Sequence, residues 1–350
     1  MVRSRQPELY VAALLPYTAA AVALVLRMVA RRKTRVSLVW EDYTAIVAFV
    51  VGSGFTFLSL FKMRWGLGIR LADIDLPKEY IVHHYFLELW VDMWLYTFSV
   101  GLSKFVVLGL YWRLFSLSII RQPIRILFAC SVAWIIARVL LILLQCQPIR
   151  KFWDNDSEGH CPLKPMMALF GAGIPHFILE VAILLCPLIE VWRLHMGTTK
   201  KIAVSLIFAS GLLVCISALG TIVNTAGTAG LNSKKPAEQD LTWDGLNDQI
   251  WAVCDVNLAS FATSLPLLRP VFRSFGGVFG GLRSSGTALA GSGNVLAIRT
   301  FGSAPSAPRS RARKSYLSTE SIVEFADDDE EEEEDLESAA GSAGGHEREP

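Results

Sequence analysis

Seven runs of 19 to 27 mostly apolar residues recur along this 350-residue chain: Leu9–Val29, Tyr43–Phe61, Phe86–Trp112, Ile126–Cys146, Ala168–Trp192, Ile202–Ala226 and Ile250–Phe272. A helix rises about 1.5 Å per residue, so roughly 20 such residues cover the hydrocarbon core of a bilayer. A large soluble helical core has no need of seven consecutive runs of that length. The pattern therefore predicts an all-α membrane protein, a seven-transmembrane helix bundle over residues 1–275. Hydrophobic residues make up 52% of the whole chain, above the ~45–50% of soluble domains, although residues 276–350 are polar and dilute the figure.

The first run does not read as a cleaved signal peptide. It is too long for a signal h-region, and Arg27, Arg31, Arg32, Lys33 and Arg35 close it or follow at once. Orientation then follows from where the basic residues lie. With the N-terminus outside, the inner loops 31–42, 113–125 and 193–201 hold ten basic residues in 34 positions. The outer loops 62–85, 147–167 and 227–249 hold nine in 68. The twofold difference in density predicts the N-terminus outside and the C-terminal tail in the cytoplasm.

That orientation puts the polar stretch CQPIRKFWDNDSEGHC, Cys146 to Cys161, outside. Cysteines in an oxidising compartment form disulfides by default, so Cys146 and Cys161 are expected to be bonded. A metal site would need more ligands than these two and His160. Asn155-Asp-Ser157 is a glycosylation sequon in the same loop, with Asn155 as acceptor. Cys130, Cys186, Cys215 and Cys254 fall within spans and read as small packing residues.

Charges within spans carry a cost of about 2.5–3.5 kcal/mol each at the bilayer centre and so require a reason. In the third span, Glu88 and Asp92 are four residues apart and share a helical face. Asp255 and Asn257 sit at a similar depth in the seventh, with Trp90, Trp94, Tyr96 and Trp251 in the same outer zone. One reading is a ligand pocket open to the outside between spans 3 and 7, lined by Glu88, Asp92, Trp94, Trp251, Asp255 and Asn257 and suited to a cationic or hydrogen-bonding ligand. The other is an interfacial aromatic belt with acids close to water. Arg138 in the fourth span and Glu180 in the fifth both lie near the midplane, which predicts a structural ion pair. His176, one turn from Glu180, would extend it. Lys104 lies toward the cytoplasmic end of span 3, where it could partly snorkel. Gly52 and Gly220 are among several span glycines that suit close helix contacts.

Several classes are excluded. The net charge of +1 gives no basic field, so no nucleic-acid partner is expected. Gly-rich phosphate loops, zinc spacings and nucleophile elbows are absent from the sequence, so neither catalysis nor a cofactor is expected. Retinal pumps hold their chromophore on a lysine of the last span; Ile250–Phe272 contains none. Asp-Arg-Tyr after span 3 and Asn-Pro-x-x-Tyr in span 7 are missing too. Residues 276–350 read as a disordered cytoplasmic tail. A basic run, 309–314, suited to anionic lipid, precedes an acidic one, 327–335.

An ordered set of short pieces resembles the fungal rhodopsin domain integral membrane proteins. The pieces are Trp40-Glu-Asp-Tyr43, Trp65-Gly-Leu-Gly68, Lys104 with Leu110-Tyr-Trp-Arg-Leu-Phe115, Cys146-Gln-Pro148 with Phe152-Trp153 and Cys161, and Leu265-Pro-Leu-Leu-Arg-Pro270. The likeness covers about residues 10–275. Departures are Arg70 where the family often has His, Asp255 where it tends to have Glu, and no Arg in the sixth span. The resemblance implies a seven-helix, receptor-like protein that does not bind retinal, with relatives linked to surface sensing and pathogenicity. Its expected partners are membrane lipid, an extracellular ligand and an intracellular signalling protein such as a G protein. The expected site is the plasma membrane. A small-solute transporter or channel using the intramembrane charges is the alternative.

Overall fold

The structure, a computed structural model, describes residues 4–35, 37–114, 118–154, 156–163, 169–193, 198–227 and 240–268. Asn155 and the tail 276–350 lie outside them, and so does the second of the chain's two units, Ser284–Pro350. The described residues form seven α-helices and no strand: α1 Gln6–Thr34, α2 Trp40–Phe61, α3 Lys78–Leu114, α4 Ser118–Leu144, α5 Ile174–Arg193, α6 Thr198–Ala226 and α7 Leu241–Ser264.

Local chemistry sets several of the boundaries. Pro7 stands in the first turn of α1, where its missing N–H costs nothing, and Arg31, Arg32 and Lys33 fill the last turn at the negative end of the helix dipole. At the start of α2, the Val39 N–H donates to Asp42 Oδ2 at 3.2 Å. This is the back-reaching half of a capping box. Asp240 caps α7, accepting from the Trp243 N–H, and also accepts from Leu71 N–H at 2.9 Å. Its second bond pins the loop after α2 to the start of α7.

The turn Trp65-Gly-Leu-Gly68 depends on its glycines. Gly66 (φ 89°) and Gly68 (φ 86°) are left-handed, a conformation that other residues adopt only with strain. The bend lets Gly68 accept from Arg5 N–H at 2.9 Å and donate to the Thr242 carbonyl at 3.0 Å. One tight turn thus joins the first turns of α1 and α7.

Each helix packs on its neighbours in sequence, and α7 closes the ring against α1 while also touching α2 and α3. Apolar clusters line the interior at three levels. Leu9, Met63, Leu67 and Leu246 lie at one end; Phe55, Val100, Trp134 and Val256 at mid-height; Leu108, Tyr111, Ile124 and Ile183 toward the other end. The rim has the character of a lipid-facing surface. Val11, Leu15, Val25, Val50 and Val223 are each more than half exposed, while Arg27, Asp42, Lys62, Asp92 and Asp255 are almost wholly buried. Water would favour the reverse arrangement; hydrocarbon favours this one, because a solvent of acyl chains takes apolar side chains and rejects charge.

Among the described residues, five stretches are long and apolar enough to cross a membrane by themselves: Gln6–Lys33, Trp40–Trp65, Lys78–Arg113, Arg121–Leu144 and Phe208–Ala226. The fifth helix supplies a shorter apolar stretch, Gly171–Pro187, entered through a π-turn at Leu169–Gly173. The seventh falls short because its polar residues face protein: Thr242, Gln249, Asp255, Asn257, Ser260 and Thr263 are all buried. This also moves its boundaries. Helix α7 begins nine residues before the expected Ile250, and its α-helical part stops at Ser264, giving way to a 3₁₀ turn that contains Pro266. Helix α3 starts eight residues before Phe86; its 37 residues span about 55 Å, well beyond the ~30 Å core.

Cys146 and Cys161 are disulfide-bonded. Next to the bond, Gln147 and His160 exchange backbone hydrogen bonds of 2.9 and 3.0 Å. The loop rests on α3 through Phe152 against Phe86 and Trp153 against Trp90, with ring centroids 5.5 and 5.7 Å apart. In the loop, Ser157 donates to Asp154, whose carboxyl is held below its usual range by that bond and by Arg150. Below, "disulfide end" denotes this end of the bundle and "basic end" the opposite one.

Candidate functional site

Four buried polar knots cross between helices. The first lies at the disulfide end. Lys62, the first residue after α2, is 1% exposed and pairs with Asp92 of α3. Gln249 of α7 bridges both, accepting from Lys62 at 3.2 Å and donating to Asp92 at 3.1 Å. Beside them, Trp65 Nε1 donates to Glu88 Oε1 at 2.6 Å.

The second knot is centred on Asp255 of α7, which is fully buried. Its Oδ2 accepts from the Tyr96 hydroxyl of α3 at 2.7 Å and lies 3.2 Å from His176 Nε2 of α5. Its Oδ1 accepts from the Ser217 hydroxyl of α6 at 2.8 Å. One carboxylate therefore joins four helices. Two residues on, Asn257 donates to Thr56 of α2 at 3.0 Å and to its own helix at the Val253 carbonyl.

The third knot is the pair Lys104 of α3 with Glu180 of α5. It borders a cavity of about 40 Å³ also lined by Tyr111, Ser210, Gly211 and Pro266, room for about three waters at ~10–15 Å³ each. The fourth knot closes the basic end. Arg27 and Arg31 of α1 both reach Asp42, at 2.7 and 3.0 Å. Arg27 also donates to the Thr263 carbonyl at 2.7 Å, satisfying an acceptor in the last turn of α7.

The six residues expected to line one pocket are divided by this arrangement. Glu88, Asp92, Asp255 and Asn257 do face the interior, but each is engaged by a partner from the chain itself. Trp94 lies elsewhere on α3, between Trp90 and Phe98, because residues two apart on a helix point to nearly opposite sides. Trp251 packs against Gly220 of α6, where an added Cβ would meet its ring at 2.4 Å. The cavity lies lower, against Lys104 and Glu180.

The expected Arg138–Glu180 pair is corrected: Glu180 pairs with Lys104. Arg138 donates to the Thr97 hydroxyl at 3.3 Å and lies 5.7 Å above the Tyr96 ring. Their partners on α3, Lys104 and Thr97, stand seven residues apart, about 10 Å at 1.5 Å per residue. Lys104 does not snorkel; it is 3% exposed.

Lys62, Gln249, Tyr96 and Ser217 had no place in the sequence-based site. Lys62 carried a usable signal, since it continues the register of α2 three residues after the buried Ser59. Among the described residues, no group of three or more His, Cys, Asp or Glu is placed to hold a metal ion.

Comparison with known proteins agrees with the architecture. The chain is 28% identical over 186 residues to a SAT4 family membrane protein of Emericella nidulans, covering 52% of this chain and 45% of that protein. It is 26% identical to Polyenoic acids biosynthesis gene cluster protein Ba17b of Metarhizium anisopliae, over 80% of this chain and 77% of that one. To Receptor GIN3 of Arthrobotrys oligospora it is 21% identical, over 87% and 71%. The chain thus spans about half the length of the first of these relatives and most of the other two. No solved structure matches it. With residues 26–274 matching the fungal rhodopsin domain, the chain, an integral membrane protein, belongs to the fungal rhodopsin domain family.

Proposed function

We propose that this protein is a receptor-like sensor of the plasma membrane. It takes an extracellular ligand or surface cue at the disulfide end and passes the signal inward by shifting helices around α7. In this reading the N-terminus is outside, the tail meets a cytoplasmic signalling protein such as a G protein, and the bundle catalyses nothing. The observation that carries it is the Asp255 knot. A single buried carboxylate bonded to Tyr96, His176 and Ser217 couples α3, α5, α6 and α7. A cue that alters one of these bonds biases the packing of all four helices. The name of one relative, Receptor GIN3, agrees with the reading. Other relatives are named for biosynthesis clusters and do not bear on it.

A second reading, a small-solute transporter or channel, draws support from the buried Lys62–Asp92 and Lys104–Glu180 pairs and the cavity beside the latter. Intramembrane ionisable groups mark solute pathways as often as signalling ones.

A ligand panel screened by thermal shift on the purified full-length chain tests the first reading. A ligand present at 100 times its Kd adds about 2.7 kcal/mol of stability; that gain should shrink in Asp255→Asn. Net movement of the same ligand into proteoliposomes would move the assignment to the transporter. A ligand response unaltered in both Asp92→Asn and Asp255→Asn would remove the buried knots from the mechanism.

A further inference from the structure

His176 occupies a position that ordinary packing does not require. The ring is 4% exposed and lies between two carboxylates from different helices. Its Nε2 is 3.2 Å from Asp255 Oδ2, and its Nδ1 is 4.0 Å from Glu180 Oε1. Asp255 Oδ2 is an acceptor, so the neutral ring carries its proton on Nε2. That leaves Nδ1 as a bare acceptor, buried and without a hydrogen-bond partner, facing a second acceptor. A proton on Nδ1 converts this opposition into an N–H directed at a carboxylate, and both ring nitrogens then serve as donors.

The surrounding groups fit a change of charge at this point. The α3 helix contributes Tyr96 and Lys104, α4 contributes Arg138 beside Tyr96, and α5 contributes Glu180 itself. Cys215 of α6 lies within electrostatic range of Glu180 and Asp255, and α7 contributes Asp255. With the ring neutral, Lys104 and Arg138 match the two carboxylates in number, and a proton on His176 adds one positive charge directly between Glu180 and Asp255. The cavity of about 40 Å³ is lined by Glu180, the carboxylate that His176 Nδ1 faces.

We infer that His176 is a proton-binding site, taking a proton from water that reaches Glu180 through the cavity, so that the ring donates to Glu180 within α5 as well as to Asp255 of α7. The step is a simple transfer. Hydronium in the cavity gives its proton to Glu180 and leaves a water; Glu180 passes the proton to Nδ1 and is again a carboxylate, and the knot gains one positive charge. The substrate class is the proton itself, and the consequence is helix packing that responds to acidity. The inference rests on the reading of Asp255 as the joint between helices, but it stands or falls by its own observable.

Trp134 provides that observable. Its ring lies 5.3 Å from the His176 ring, and a protonated imidazole at contact quenches indole fluorescence more than a neutral one. Full-length protein in lipid nanodiscs would be titrated from pH 9 to pH 4 while tryptophan emission is followed. The expected result is a reversible loss of intensity on acidification that is reduced in His176→Gln and in Trp134→Phe to the part that comes from the stacked Trp65 and His84 rings, 4.4 Å apart. A loss of the same amplitude in either variant overturns the proposal, as does no loss in the wild type. Should His176→Gln fail to fold, Trp134→Phe still decides, because it removes the reporter and keeps the proton site. A protein that shows the step but answers no ligand would keep the proton site and lose the receptor reading. Ligand responses without the step would do the opposite.

Discussion

Lys62, the first residue beyond α2, turns its amine inward onto the carboxylate of Asp92 on α3 instead of extending toward the membrane surface. Gln249 of α7 holds both partners, so three helices meet at one ion pair. Removing one partner of a buried pair leaves an uncompensated charge at a cost of about 3–5 kcal/mol, whereas replacing both with apolar residues is often neutral. Asp92→Leu alone should therefore lower the unfolding midpoint of the purified protein sharply. Adding Lys62→Met should recover most of the loss. A double variant as unstable as the sum of the singles would mean that the two residues act independently.

At the basic end, Asp42 is the counter-charge for both Arg27 and Arg31. It also receives the Val39 N–H that starts α2. Asp42→Asn keeps an oxygen for that cap but withdraws the charge from two arginines, one of them fully buried. A loss of about 3–5 kcal/mol is expected, with faster backbone hydrogen exchange at the end of α7, where Arg27 holds the Thr263 carbonyl. Unchanged exchange there would show that the Arg27 contact does not hold α7 in place.

The number of helices was legible in the sequence because hydrocarbon imposes a length on each run; the runs for α1, α2 and α6 match both helix ends within five residues, whereas those for α3, α4 and α7 begin eight or nine residues late. The start of α7 was not legible. Thr242, Leu246 and Gln249 lie on a helix enclosed by protein on several sides, so its first turns carry no apolar stripe for lipid. That the span acids Asp92 and Asp255 face the interior was legible, and both are buried. The partner of each charge was not. Glu180 and Arg138 were expected at one depth, but Glu180 faces Lys104 while Arg138 turns to Thr97 and Tyr96, seven and eight residues earlier on α3. Hydropathy reports that a residue lies within a span; only packing decides which neighbour it meets.

The contact of α6 with α7 depends on a missing side chain. A Cβ at Gly220 would fall 2.4 Å from two ring atoms of Trp251, closer than atoms can approach. Gly220→Ala should force the ring aside and cost about 1–3 kcal/mol, the usual range for overpacking. Trp251→Leu in the same chain should restore much of that stability, since the smaller side chain clears the new methyl. Both effects are read from thermal unfolding. Equal stability of Gly220→Ala and wild type would place the two helices farther apart than described.

The loop from Cys146 to Cys161 tests both stability and orientation. The bond closes 15 residues, worth about 3 kcal/mol in the chain-entropy model, and the loop rests on α3 through Phe152 and Trp153. Cys146→Ser with Cys161→Ser should lower stability by up to that amount and loosen the aromatic contacts with Phe86 and Trp90. Orientation is read by single replacement. With Cys146→Ser, the exposed thiol of Cys161 is freed at the disulfide end, while Cys186 and Cys215 are buried within the bundle and the exposed Cys130 is common to variant and wild type. If the basic-residue density sets the topology as expected, a membrane-impermeant maleimide added to intact cells should label Cys146→Ser well above wild type. Labelling that requires permeabilised cells would place the loop inside, reverse the bundle and remove the extracellular entry on which the sensor reading depends.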